Sequence, residues 1–335
     1  MKAKKVSTSY RLWKRKIRGL FDLIPCYIYD LRNFVSYSSS YIIFLNERAF
    51  SDWLIAKAHP IEKGLSYSRP KRGFGSNKIK ALCELILQYL NQGYSIETTG
   101  YKMAVGVLLN YSQSSAYAEI PLEIRELITR TLAQAWNDGS PSIETGAIQV
   151  NARTPHKCSY DLYLTFVKSR HSIRSYVNTV ISHDIILHAL HAARFTPTAC
   201  NRQPYKAYNI INSAMKQSVL NIQPGNQGFG DTAPCLLVIT GNLNSYFCAN
   251  ERNQVYLDVG LFVMNLTLAF HSMGLGACIL NWSVDRKVDK SIHSITGIPK
   301  NELVICLITV GYFETNVLVP ASLKRNPEDL YSALL

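Results

Sequence analysis

Two kinds of hydrophobic spacing divide the chain. Up to about residue 135 apolar positions recur every three or four residues, the period of helices with one buried face. Ile79, Leu82, Leu85, Ile86 and Leu90 form one such stripe, with Ser76 placed to cap it and Asn91-Gln92-Gly93 to stop it. Ile124, Leu127, Ile128 and Leu132 form another, with Pro121 in its first turn. The rhythm fades over residues 137–154, where Asp-Gly-Ser-Pro-Ser and Asn-Ala-Arg-Thr-Pro read as a linker. Beyond it helices and strands mix. Ser182 caps a helix with Asp184 in its first turn, Ile186 and Leu190 on one face and an end near Arg194. Residues 205–211, 235–240, 276–280 and 304–310 are strand-like, the last rich in β-branched side chains. Helices are predicted over 253–272 and 283–295. This order lacks a regular βαβ alternation and predicts an α+β layer fold, a mixed sheet flanked by helices. The division is a helical region over 1–150 and a second domain over 160–335.

Composition changes this picture in two places. A chain of 335 residues with 47% hydrophobic content is globular and long enough for two units. Its eight cysteines are scattered, with no CxxC pair and no zinc spacing, which fits a reducing, cytoplasmic compartment. The net charge of +13 is concentrated: residues 1–18 hold Lys2, Lys4, Lys5, Arg11, Lys14, Arg15, Lys16 and Arg18 and no acid. Trp13, Ile17, Leu20, Phe21 and Ile24 follow at helical spacing, so a basic amphipathic helix suits peripheral contact with an anionic membrane or an acidic partner. A solvated helix with a frayed basic end is the simpler account. No nucleic-acid partner is expected, and the segment lacks the apolar stretch and cleavage site of a signal peptide. The apolar run over 259–280 contains Gly260, Asn265, His271, Gly274 and Gly276; it reads as a buried core or a subunit interface rather than a membrane span.

Candidate chemistry lies in the second half. Arg170, Ser172 and Arg174 could clamp a phosphate, because guanidinium forks match its oxygens; alone, the pattern equally describes a solvated basic loop. Asn201 and Gln203 can donate and accept along the edge of a planar heterocycle, or simply cap their own loop. Gly274-Leu275-Gly276-Ala277-Cys278 allows close backbone approach to a flat ligand, and also suits a helix end entering a strand. Lys324 and Arg325 could add cations to the same site or belong to a basic tail. Gly225-Asn226-Gln227-Gly228-Phe229-Gly230 lacks both the P-loop ending and the GxGxxG order. The histidines show no metal spacing, no Gly-x-Ser-x-Gly elbow occurs, and no metal site or dedicated catalytic residue is expected.

In this order, Ser-Arg-His-Ser-Ile-Arg-Ser-Tyr, a helix, Pro-Thr-Ala-Cys-Asn-Arg-Gln-Pro-Tyr, an apolar helix ending in Gly-Leu-Gly-Ala-Cys, then Gly311-Tyr312 and a basic tail resemble the nitroreductase family of FMN-dependent oxidoreductases, over about residues 160–330. The resemblance implies that Arg170, His171, Ser172 and Arg174 hold the FMN phosphate and ribityl chain, with His171 standing where the family usually has a second arginine. It implies that Pro197, Thr198, Ala199, Asn201 and Gln203 flank the isoalloxazine, that Gly274, Gly276 and Ala277 approach its reactive edge, and that Lys324 and Arg325 reach the phosphate. It further implies a homodimer with FMN at the interface and ping-pong hydride transfer from NADH or NADPH to a small acceptor such as a nitro compound or quinone. Two alternatives stand beside it: a flavin dehydrogenase modifying a peptide or sugar intermediate without nicotinamide, and a non-catalytic flavin-binding or interaction protein. In the N-terminal part, His59-Pro60-Ile61-Glu62-Lys63-Gly64-Leu65 and Arg72-Gly73-Phe74-Gly75 are similar to an extension on some nitroreductase-like proteins. Packing on the core or covering its pocket is its expected role. The short connection over 211–235 leaves little room for a specificity insertion there.

Overall fold

The computed structural model describes residues 2–39, 46–67, 73–136, 145–148 and 157–334. Among the described residues the first part holds five α-helices: α1 (Lys2–Tyr37), α2 (Glu47–Leu65), α3 (Ser76–Asn91), α4 (Thr99–Ser112) and α5 (Leu122–Trp136). Asn46 caps α2 by accepting the Ala49 N–H at 2.8 Å, and Thr98 caps α4. The two apolar stripes share one core: Ile79, Leu82, Ile86, Ile124 and Ile128 are buried there together with Leu54, Ile61 and Leu108. Ser76 differs from expectation. Gly75 occupies the cap position in a left-handed conformation, and the Ser76 hydroxyl bonds back to the Gly73 carbonyl at 3.1 Å. The close crossing of α2 and α4 requires Gly100, whose Cβ, if present, would collide with the Ser51 backbone. Most of the expected linker lies outside the described residues. Its described stretch, 145–148, is tied down: Glu62 accepts the Gly146 N–H, and Asn110 donates to the Thr145 carbonyl.

The second part is a sheet covered on both faces. Strands β1 (Tyr205–Asn209), β2 (Cys235–Asn242), β3 (Gly276–Asn281) and β4 (Glu302–Gly311) lie in the order β1-β2-β4-β3, all antiparallel. A parallel element enters only through a single bridge from Ser172 to Ala277. Every residue of β2 is buried because its alternate side chains feed two cores. Leu237 and Ile239 face α7 (His183–Ala193) and α9 (Gln254–Ser272); Leu236 and Val238 face α8 (Ser213–Ile222) and α10 (Arg286–Thr296). The remaining helix, α6 (Tyr160–Ser169), buries no residue and leads into the sheet.

Several boundaries differ from the sequence pattern. Strand β1 stops at Asn209, and Asn212 caps α8, which occupies much of the short connection before β2. Asp285 caps α10, so that helix starts at Arg286 rather than 283. The 259–280 run is two elements, parted by Gly274 at φ +73°. One face of α9 packs on the sheet through Val259, Phe262, Leu266 and Phe270, while Tyr256, Leu257, Leu261 and Met264 are exposed. All eight cysteines are free thiols.

The two parts meet through polar and aromatic contacts. Asp52 on α2 accepts the Ser245 hydroxyl at 2.5 Å, and Trp53 packs edge-on against Phe247 at 4.5 Å. Because the α2/α4 crossing is already in contact, Gly100→Ala is expected to destabilise the helical part by about 1–3 kcal/mol. Thermal unfolding of the full chain followed by circular dichroism measures this; an unchanged midpoint would refute the close-packing account.

Candidate functional site

The chain leaving α6 runs beside β3. Ser172 bridges Ala277, and the Ile173 N–H donates to the Ala277 carbonyl at 3.2 Å. Ile173 is buried, and a Cβ on Gly276 would come within 2.7 Å of it. The close approach that Gly276 permits is therefore made by a protein side chain, which seats the Arg170–Arg174 stretch on the sheet. Gly274 ends α9 in a left-handed turn, with the Leu275 N–H reaching back to the Phe270 carbonyl at 3.0 Å.

This seating opens a cleft of about 160 Å³. Arg170, His171 and Ala277 line it from the sheet side, and Phe313, Val317 and Val319 cross it after β4. Among the described residues neither Arg170 nor Arg174 has a carboxylate ion-pair partner. Arg174 lies 5.8 Å from the Phe229 ring, which places the Gly225–Gly230 loop as a wall beside the clamp. His171 bonds through Nδ1 to the Ser169 carbonyl at 2.9 Å. Spacing alone missed His271, in the last turn of α9. Its Nε2 lies 2.7 Å from the Ser169 hydroxyl and its ring packs on Phe166. Burial first, and then the Arg170 charge, hold it below the usual histidine range, which favours the neutral ring.

The carboxamide turn is a strained device. Cys200, Asn201 and Gln203 all have positive φ, at 52°, 56° and 50°. Each such non-glycine residue costs roughly 1–3 kcal/mol and persists only where its surroundings over-determine it. Here Thr198 Oγ1 accepts the Gln203 N–H at 3.1 Å, and Asp258 of α9 accepts the Ala199 N–H at 3.1 Å. Between these sits Arg202, 2% exposed, which donates from Nε to the Ala199 carbonyl and from both Nη atoms to Glu251, at 3.0 and 2.6 Å. Burial alone would raise Glu251; the paired Arg202 bonds and the Phe247 N–H outweigh it and hold the carboxyl below its ordinary value.

Clamp and turn do not share a cleft within one chain. Gln203 faces α2, where Arg48 donates to its carbonyl at 3.3 Å, beside a second cleft of about 420 Å³ that also includes Asp52 and Tyr205. Pro197, Thr198, Ala199 and Asn201 line neither cleft. Asp258 and His271 mark turn and clamp on the same helix, so the two lie roughly 20 Å apart along α9 at 1.5 Å per residue. Lys324 and Arg325 are exposed on an irregular segment and do not line the clamp cleft. No cluster able to hold a metal occurs among the described residues.

Removing Glu251 should leave a buried guanidinium unpaired, so Glu251→Ala is expected to cost about 3–5 kcal/mol, read as a fall in the unfolding midpoint. Because the folded carboxyl titrates below its unfolded value, its contribution is complete above the ordinary glutamate range and lost as pH falls through the lowered value. An acid-unfolding profile identical in wild type and Glu251→Ala would refute this.

Two archaeal proteins named for a proposed NADH dehydrogenase/NAD(P)H nitroreductase activity are similar in sequence. One, from Methanothermobacter thermautotrophicus, is 25% identical over 170 residues, covering 49% of this chain and 84% of the relative. The other, from Archaeoglobus fulgidus, is 24% identical over 155 residues, covering 44% and 84%. Among solved structures, an FMN-dependent nitroreductase from Clostridium difficile is similar at 22% identity over 50% of this chain and 93% of that one, with a TM-score of 0.41. The sequence profile of the nitroreductase family matches residues 167–312, a stretch that begins at the clamp and ends just past β4. The chain thus carries a nitroreductase-family domain, preceded by a helical region that the match does not include.

Proposed function

We propose that this chain is an FMN-dependent oxidoreductase that takes hydride from NADH or NADPH and delivers reducing equivalents to a small acceptor, a nitro compound or quinone, in ping-pong fashion. The observation that carries this reading is the pairing of an uncompensated guanidinium clamp with a strained carboxamide turn at opposite ends of α9. The family match over 167–312 and the relatives' NAD(P)H nitroreductase names support the flavin and the nicotinamide donor.

The residues present fit the cofactor. Arg170 and Arg174, without carboxylate partners, suit a phosphate, with the Ser172 hydroxyl close by. Lys324 and Arg325 would add charge once the exposed tail folds over. Asn201 and Gln203 offer donors and acceptors for a ring edge, and Ala277 leaves room beside it. A clamp cleft of about 160 Å³ is smaller than the roughly 300 Å³ or more of small-ligand pockets, so it holds only part of such a ligand.

Two copies solve the geometry. Packed antiparallel through the exposed Tyr256, Leu257, Leu261 and Met264, two α9 helices bring the Asp258 end of one beside the His271 end of the other. Each site then takes its clamp from one chain and its turn from the partner, which makes a homodimer the working unit. Bound FMN supplies the hydride chemistry. The chain's own groups bind and orient: the guanidiniums neutralise the phosphate, the rigid turn presents its carboxamides without reorganising, and neutral His271 leaves the clamp's charge to the arginines. A reducing cytoplasm matches the free thiols and is the compartment proposed.

Purified protein should be yellow and lose its flavin absorbance on anaerobic addition of NADH or NADPH. Protein that stays colourless after incubation with FMN would sink the reading. Arg170→Ala should raise the dissociation constant for FMN about 10–100-fold, in line with a hydrogen bond to a charged group, measured by quenching of flavin fluorescence. An unchanged constant would remove Arg170 from the clamp.

A further inference from the structure

The cleft of about 420 Å³ beside Gln203 falls within the roughly 300–1,000 Å³ of small-ligand pockets, and the helical region supplies most of its wall. Helix α2 contributes Arg48, Ser51 and Asp52 from its first two turns, and α4 opens onto the same space with Thr98 and Thr99. Gln203 and Tyr205 close the side nearest the strained turn. Both helices therefore reach the cleft with their N-terminal ends, the positive ends of their dipoles.

Most charges around this space already have partners. Glu47 accepts the Ser95 N–H at 2.6 Å, Glu97 pairs with Lys102 at 2.6 Å, and both Nη atoms of Arg202 lie on Glu251. Arg48 and Asp52 form an ion pair at 3.1 Å, but its two members are unequally placed: the Asp52 side chain is 2% exposed and that of Arg48 57%. The pair hides its anion and shows its cation. Arg48 uses Nε on Asp52 and Nη2 on the Gln203 carbonyl, which leaves Nη1 without a partner among the described residues. An open guanidinium nitrogen beside two helix N-termini suits a carboxylate. Because the same guanidinium sits on Gln203, an anion held there lies beside the edge that this residue would offer to a flavin ring. A single-ring acceptor spans that gap, with its carboxylate and its reducible group one ring's width apart. In a nicotinamide dinucleotide the phosphates lie much farther from the reacting ring.

We propose that this cleft is the acceptor subsite and that Arg48 is its specificity-determining residue, selecting single-ring acceptors that carry a carboxylate. This assignment rests on the flavin reading. The helical region, which the family match does not include, then recognises the substrate while the sheet domain holds the cofactor. Arg48 also touches the turn, so removing its side chain disturbs the cofactor's surroundings as well. A readout selective for the acceptor's charge separates the two effects.

Steady-state reduction of 4-nitrobenzoate and of its uncharged analogue 4-nitrobenzamide by NADH tests it on the full chain. In each turnover NADH and one proton convert the nitro group to nitroso and water. Arg48→Gln is expected to lower the ratio of kcat/KM for the anion over that for the amide about 10–100-fold, the value of a hydrogen bond between charged groups. The change should come from the KM for 4-nitrobenzoate rather than from kcat, and Arg48→Lys, which keeps the charge, should retain part of the ratio. A purely structural effect through the turn lowers both acceptors together. An unchanged ratio in yellow protein that NADH bleaches overturns the role of Arg48 while the flavin reading stands, as does failure of such protein to reduce either compound. Colourless protein overturns both. A loss seen with NADPH as donor but absent with NADH would put the donor's phosphate on Arg48 and overturn the acceptor assignment.

Discussion

The buried guanidinium of Arg202 organises more of this molecule than any other single group. It lies between the Tyr246 and Phe247 rings, at 5.1 and 5.3 Å, with both Nη atoms on Glu251 and Nε on the Ala199 carbonyl. Taking such a charge out of water costs several kcal/mol, recovered only when every donor is matched and the pair is bidentate. That requirement holds three left-handed residues in place and leaves the Asn201 and Gln203 carboxamides displayed on rigid backbone. It also reaches the helical region, because Phe247, whose N–H Glu251 accepts, is the ring on which Trp53 rests.

Helix α9 sets the distance between the two halves of the candidate site. Near its start it supplies Asp258 to the strained turn, and its last turn supplies His271 to the clamp. Its inner face is the floor of the sheet core, so neither end can move without disturbing Phe262 or Phe270. Rigidity of this kind makes the separation of clamp and turn a fixed property of one chain, and the proposed pairing of two copies is what would bring a clamp and a turn together. The helical region contributes through Arg48, which bonds to the Gln203 carbonyl and to Asp52, itself raised by burial and bonded to Ser245. That polar chain gives the first part of the protein a direct hold on the turn.

Much of the fold was readable from periodicity, and the failures have identifiable causes. Helices with a one-sided stripe, such as α3 and α5, stood out, as did β2 and β4 with their continuous apolar runs. Short α8, hidden between two strands, and α6, which buries nothing, left little hydrophobic signal. Local chemistry permits Ser76 as a cap, whereas Gly75 takes that position because it can adopt the left-handed conformation at no steric cost. Of the residues proposed for the site, Arg170, Asn201 and Gln203 offer their chemistry in the local sequence. His271 and Glu251 do not, since their roles arise from neighbours 102 and 49 positions away in the chain.

Local sequence was sufficient for the helix and strand types, the +13 charge and its concentration at one end, and the residue classes offered to an anion and to a planar ring. These follow from side-chain chemistry and from periods of 3.6 and 2, which need no partner to be expressed. Tertiary structure decided the rest. It made Gly276 a seat for Ile173 rather than an open approach, gave the turn its positive φ angles by burying Arg202, and put turn and clamp at opposite ends of α9. Such outcomes depend on which distant groups are buried together, and burial energy belongs to the packed chain rather than to any stretch of its sequence.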